Sequence, residues 1–138
     1  MQPRYPHNNN IDKYKVFVPK ANGSGTFGEI LSTPVVGRPS DSATSTFISI
    51  GSFDTEIEAA NALKYLKTKL LRCLLSVLKI TQDNPPLKWS LIPIQNFTNN
   101  SAIDWTKSIS EIDQQLYKKY GLSKEEIDFI EENVQAMD

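Results

Sequence analysis

The chain has 138 residues, 39% of them hydrophobic and 22% charged, with a formal net charge of −1. This supports one globular domain with a real core and leaves no room for two comfortable ones. No apolar run reaches membrane-spanning length, since Arg72 and Lys79 interrupt the most apolar stretch, Leu70–Ile80.

The N-terminal stretch MQPRYPHNNN lacks the apolar core of a signal peptide, and residues 1–12, rich in Asn and Pro, are expected to be flexible. Tyr14–Pro19, YKVFVP, alternates apolar and polar residues and predicts a strand. Lys20–Gly28 is a polar, glycine-rich loop. Ile30–Val36 resumes a β-like pattern, Gly37–Ser45 reads as another loop, and Thr46–Gly51, TFISIG, is the clearest strand.

The period then changes. Thr55 and Glu58 fit a capping box, with Asp54 an alternative cap, and the spacing predicts one long helix over Glu56–Lys79. Its buried stripe would be Leu63, Leu66, Leu70, Leu74, Val77 and Leu78, with Lys69, Arg72 and Ser76 on the far face. Lys67 falls inside the apolar arc, where a lysine must snorkel, pair or line a cleft. Cys73 lies in this helix. As the lone cysteine it excludes an intramolecular disulfide and most zinc sites, and it reads as a small buried hydrophobe.

After Pro85 and Pro86, Trp89–Ile94 predicts a strand, with Pro93 arguing for an edge position. Ser110 with Asp113 opens a short helix ending at Gly121, and Ser123 with Glu126 caps a second over Lys124–Ala136. The fold class expected is α+β: a small mixed or antiparallel sheet packed on one long helix, followed by a C-terminal helical hairpin. Residues 13–103 form the body, and 104–138 form an acidic hairpin of the same domain.

Charge is divided unevenly. Residues 104–138 carry nine acids against four lysines, a net of −5, which leaves +4 on residues 1–103. A helix-turn-helix reading of the tail fails on this ground, because its second helix would drive Glu125, Glu126, Asp128, Glu131 and Glu132 towards phosphates. The body can instead offer a basic face to a polyanion.

Two fragments imitate a methyltransferase. Gln82–Trp89, QDNPPLKW, contains the Asn-Pro-Pro of an amino-methyltransferase site, and Gly23–Glu29, GSGTFGE, could pass for a loop binding the methyl donor. Neither has the required context. Pro34, Gly37 and Pro39 prevent a helix after the glycines, and Leu87 stands where the site needs an aromatic. Asn-Pro-Pro is here a helix stop.

No other catalytic set emerges. His7, the only histidine, lies in the N-terminal segment, and Asp54, Glu56 and Glu58 crowd a helix start whose dipole accounts for them. Asp12 and Glu29 lack a nuclease pattern, and no metal-ligand spacing is present. The residues alone read as a non-catalytic domain.

The segments VFVPKANGSGTFGE, YLKTKLLRCLLSVLKITQD, WSLIPIQNFT and DQQLYKKYGLSKEEIDFIEENVQAMD carry a resemblance. They look like the extreme C-terminus of bacterial restriction–modification adenine-specific DNA methyltransferases, including type II restriction enzymes that fuse endonuclease and methylase. The resemblance spans nearly all of Lys13–Asp138. It implies a target recognition domain, cut from a longer cytoplasmic enzyme whose S-adenosylmethionine site and catalytic domain are elsewhere. Met1 would then begin a fragment, which holds no cofactor itself.

On that reading double-stranded DNA is the partner. Lys64, Lys69 and Arg72 would touch phosphates with Lys67 at their edge, while Asn22, Ser24, Thr26 and Arg38, with Lys20 beside them, would read bases from loops. The acidic hairpin would pack through Asp104, Trp105 and Tyr117–Tyr120 on this domain or on the catalytic part. A protein-interaction module docking the methylase to its endonuclease or specificity partner is the rival. A patch of Ile127, Phe129, Ile130 and Val134 facing solvent would favour it.

Overall fold

The computed structural model describes residues 11–19, 34–42, 47–81, 93 and 95–137. The fold is α+β. Three strands, β1 (Tyr14–Pro19), β2 (Val35–Gly37) and β3 (Phe47–Phe53), form an antiparallel sheet in the order β2-β1-β3. Alternation along β1 turns Val16 and Val18 into the core, where both are fully buried. The β1–β3 register shifts between Tyr14 and Val16, and Gly51 takes the positive φ of 85° that this irregularity requires. Gly37 faces Lys15 across the ladder, where a Cβ would run into the Phe17 ring and the Lys15 stem. The strand expected at Trp89–Ile94 lies, apart from Pro93, outside the described residues, as do Lys20–Gly28 and Gln82–Trp89.

The long helix expected over Glu56–Lys79 is two helices, α1 (Glu56–Lys67) and α2 (Lys69–Thr81). Thr68, at φ −67° and ψ 152°, breaks it. Thr55 caps α1 as expected, accepting from the Glu58 N–H at 3.2 Å. Asp54 does not cap; it pairs with Lys13. The break changes which face is buried. Ala59, Ala62, Tyr65 and Leu66 face inward on α1, whereas Leu70, Leu71, Arg72, Cys73 and Leu75 do so on α2, leaving Leu63 and Leu74 half-buried.

The hairpin consists of α3 (Ile109–Lys119) and α4 (Lys124–Asn133). The α3 cap is two residues earlier than expected: Ser108 and Glu111 form the capping box. Ser123 and Glu126 cap α4 as expected, although α4 ends at Asn133 rather than Ala136. The turn between them closes through Gly121 at φ 62°, with the Leu122 N–H reaching the Tyr117 carbonyl at 3.0 Å.

One apolar cluster joins sheet and helices, running from Val16 and Val18 through Leu66 and Leu71 to Ile112, Leu116, Ile130 and Val134. Trp105 and Tyr117, two of the expected anchors, are buried in it. Tyr65, Phe97 and Trp105 pack with ring centroids 5.1–6.0 Å apart, and Trp105 Nε1 donates to the Asn96 carbonyl at 2.8 Å. Among the described residues no helix is long and apolar enough to cross a membrane.

Candidate nucleic-acid interface

The sheet register fixes where the polar segments attach. Phe17 pairs with Val35 and Pro19 with Phe47, so β1 ends where β2 and β3 both begin. The segment between Pro19 and Pro34, carrying Lys20, Asn22, Ser24 and Thr26, therefore starts and finishes at one end of the sheet. These four residues themselves lie outside the described part.

Arg38 belongs to the other end. It follows Gly37, which pairs with Lys15 near the start of β1, roughly 14 Å of strand away from Pro19 at ~3.4 Å per residue. Its side chain is 72% exposed and 3.7 Å from Glu56, too loose and too wet a pair to hold it. Of the expected base-reading set, Arg38 alone is among the described residues.

That second end is fastened by an unexpected residue. Lys15 is fully buried, and its ammonium donates to the carbonyls of Arg38 (2.9 Å), Asp41 (3.2 Å) and Ile11 (3.3 Å). Burial pushes its pKa down, and the charges of Asp41 and Asp12 resist. Nothing in the alternation of YKVFVP marks Lys15 as an interior residue.

The expected phosphate contacts on the long helix are corrected by geometry. Lys64 Nζ donates to the Trp105 carbonyl at 2.7 Å. Lys69 Nζ lies 3.0 Å from Glu131 with its side chain 20% exposed. Arg72, expected on the far face, is 1% exposed. For Lys69 and Arg72 the cause is the break at Thr68, which resets the phase of α2, whereas Lys64, on α1, is held by the Trp105 carbonyl. Lys67, half-buried at the end of α1, lends its carbonyl to Arg72 Nε at 3.3 Å.

Asp113 is the residue around which this region is organised. It is buried, and its two oxygens accept the N–H groups of Lys69 (2.9 Å) and Leu70 (3.0 Å), capping α2 from another helix. Thr68 Oγ1 completes the cap by accepting from the Leu71 N–H at 3.2 Å. Burial raises the Asp113 pKa, opposed by those N–H groups and by the charge of Arg72. Burial lowers the pKa of Arg72, whose two terminal nitrogens have no hydrogen-bond partner among the described residues.

A second polar chain fastens the hairpin. Lys119 Nζ donates to Gln95 Oε1 at 2.8 Å, Gln95 Nε2 to the Tyr120 hydroxyl at 2.6 Å, and the Tyr65 hydroxyl to the Pro93 carbonyl at 3.1 Å. Burial pushes Tyr65 up to about 12, with the Gln95 contact resisting. These groups hold elements together.

Among the described residues, the apolar patch that would favour the rival reading does not face solvent as a whole. Ile130 and Val134 are in the core, Ile127 packs against it, and Phe129 remains 51% exposed. No family model, curated protein or solved structure matches the chain. Among the described residues no cluster of His, Cys, Asp or Glu could hold a metal ion.

Proposed function

We propose that this chain is a target-recognition fragment of a restriction–modification adenine-specific DNA methyltransferase, gripping duplex DNA without catalysing its modification. The observation that carries the reading is the attachment of the polar segment of Lys20, Asn22, Ser24 and Thr26 at both its ends to one end of the sheet. A segment rich in donors and acceptors that is joined to a sheet at both ends suits base reading in a groove. The resemblance of the four quoted segments to such enzymes supports the same assignment. The methyl donor and the chemistry then belong to a separate catalytic domain, in the cytoplasm with the DNA.

Internal engagement of Lys64, Lys69 and Arg72 moves the phosphate contacts to Lys20 and to exposed Arg38. Arg38 leaves the base-reading group, since it stands at the far end of the sheet.

The test is fluorescence anisotropy with random-sequence duplex DNA across a salt series. Affinity should fall as salt rises, and Lys20→Ala and Arg38→Ala should each lower the slope of log K against log salt by about one. Absence of binding at low salt would overturn the reading.

A further inference from the structure

The chain between Glu56 and Thr81 has two ways to be a helix. Read as continuous, it buries Leu63, Leu66, Leu70 and Leu74, and turns Lys69 and Arg72 outward. As observed, it is broken at Thr68; Leu66 and Leu70 stay buried, while Leu71, Leu75 and Arg72 are buried in place of Leu63 and Leu74. Leu66 and Leu75 illustrate the incompatibility: nine residues at about 100° each place them on opposite faces of an unbroken helix. Both are nevertheless 4–5% exposed here. The sequence LysLeuLeuArgCysLeuLeu, residues 69–75, supplies leucines for either arrangement.

The local chemistry of the break is that of Thr68, whose Oγ1 accepts the Leu71 N–H at 3.2 Å as an N-cap. Neither glycine nor proline is present at 67–70, and a single residue, Thr68, leaves the helical region. The break deprives the Lys69 and Leu70 N–H groups of the carbonyls four residues back, and both are taken by Asp113 of α3. The broken state also buries the Arg72 guanidinium with both terminal nitrogens unpartnered among the described residues, which is unfavourable. One arrangement depends on the Thr68 cap and on a carboxylate from another element; the other releases a guanidinium from the interior.

We infer that α1 and α2 are two halves of one helix held apart by Asp113, and that withdrawal of this carboxylate straightens the helix and delivers Arg72 and Lys69 to the surface as additional phosphate contacts. The role of the released cations rests on the DNA-binding reading above; the straightening does not. In the latched state Arg72 contributes nothing to binding, and in the released state it does.

Two readouts test the joint without DNA. In wild type, the Thr68 Cα and Cβ chemical shifts should be those of extended backbone, and Arg72 should resist an arginine-specific dicarbonyl reagent. In Asp113→Ala, the Thr68 shifts should become helical and Arg72 should react at least tenfold faster. Helical shifts in this variant support the inference, and extended shifts in a folded Asp113→Ala overturn it. Should that variant fail to fold, wild type decides by its own kinetics. Arg72 modification faster than global unfolding supports a local release, and modification only at the global rate overturns it. DNA anisotropy then separates the two claims. Tighter binding by Asp113→Ala that Arg72→Ala reverses, while Arg72→Ala alone leaves wild-type binding unchanged, supports both. A joint that straightens in a chain that never binds DNA upholds the helix device and overturns the DNA reading.

Discussion

The Tyr117 hydroxyl donates to one oxygen of Glu131 at 2.6 Å, while the other oxygen of that carboxylate receives Lys69 at 3.0 Å. Through this one side chain, α4 is tied to both α3 and α2. Partial burial pushes the Glu131 pKa up, but the Tyr117 hydrogen bond and the Lys69 charge outweigh it and hold the carboxyl below the ordinary glutamate range. A depressed folded-state pKa gives stability that is present above the unfolded value of about 4.3 and is lost as pH falls through the folded value. The urea midpoint of wild type should therefore exceed that of Glu131→Gln at pH 7, with the gap closing towards pH 3. Asp113 has the opposite shift, so its contribution is present below about 3.9 and lost as pH rises through its folded value.

Two serines two positions apart give a sharper test. Ser108→Ala should destabilise the protein by about 1 kcal/mol, because Ser108 accepts the Glu111 N–H and completes the α3 capping box. Ser110→Ala, at an exposed position inside the helix, should stay within about 0.5 kcal/mol. Equilibrium urea unfolding of both variants measures the difference.

Leucine truncations discriminate between the broken and the continuous helix. Leu71→Ala should cost about 2–5 kcal/mol, since Leu71 is fully buried, and the half-buried Leu74→Ala should cost distinctly less. Thermal or chemical denaturation would give the reverse ranking if the helix ran straight through Thr68.

Gly51→Ala should destabilise the sheet by about 1–3 kcal/mol, because the residue holds a φ of 85° and its new methyl would strike the Phe53 ring. The melting temperature reports this directly.

How far the sequence foretold these features depends on where their causes lie. The strands at Tyr14–Pro19 and near Thr46–Gly51, and the caps at Thr55 and Ser123, are written in local alternation and local hydrogen bonding, and they are found where local chemistry puts them. The α3 start was misplaced by two residues because Ser110 with Asp113 has the same spacing as the true pair, Ser108 with Glu111. The choice between them is made by Asp113, which is occupied in capping a helix forty-four positions away. That is also why Thr68 was invisible: its break is enforced by a partner no window around it contains. Lys15 was hidden for the same reason, since its three carbonyl partners come from chain that folds back over it. The candidate site inherited these errors. Arg72 and Lys69 were placed on a surface by a helix phase that Thr68 resets.

The two ends of the sheet differ in how they tolerate change. At one end the Lys15 ammonium ties the chain at Ile11, Arg38 and Asp41 into a single knot, and a longer or shorter turn there would pull on a buried charge. At the other end, Phe17 meets Val35 and Pro19 meets Phe47 through the backbone ladder. A change of chain length is therefore felt as electrostatics at the first end and as strand pairing at the second.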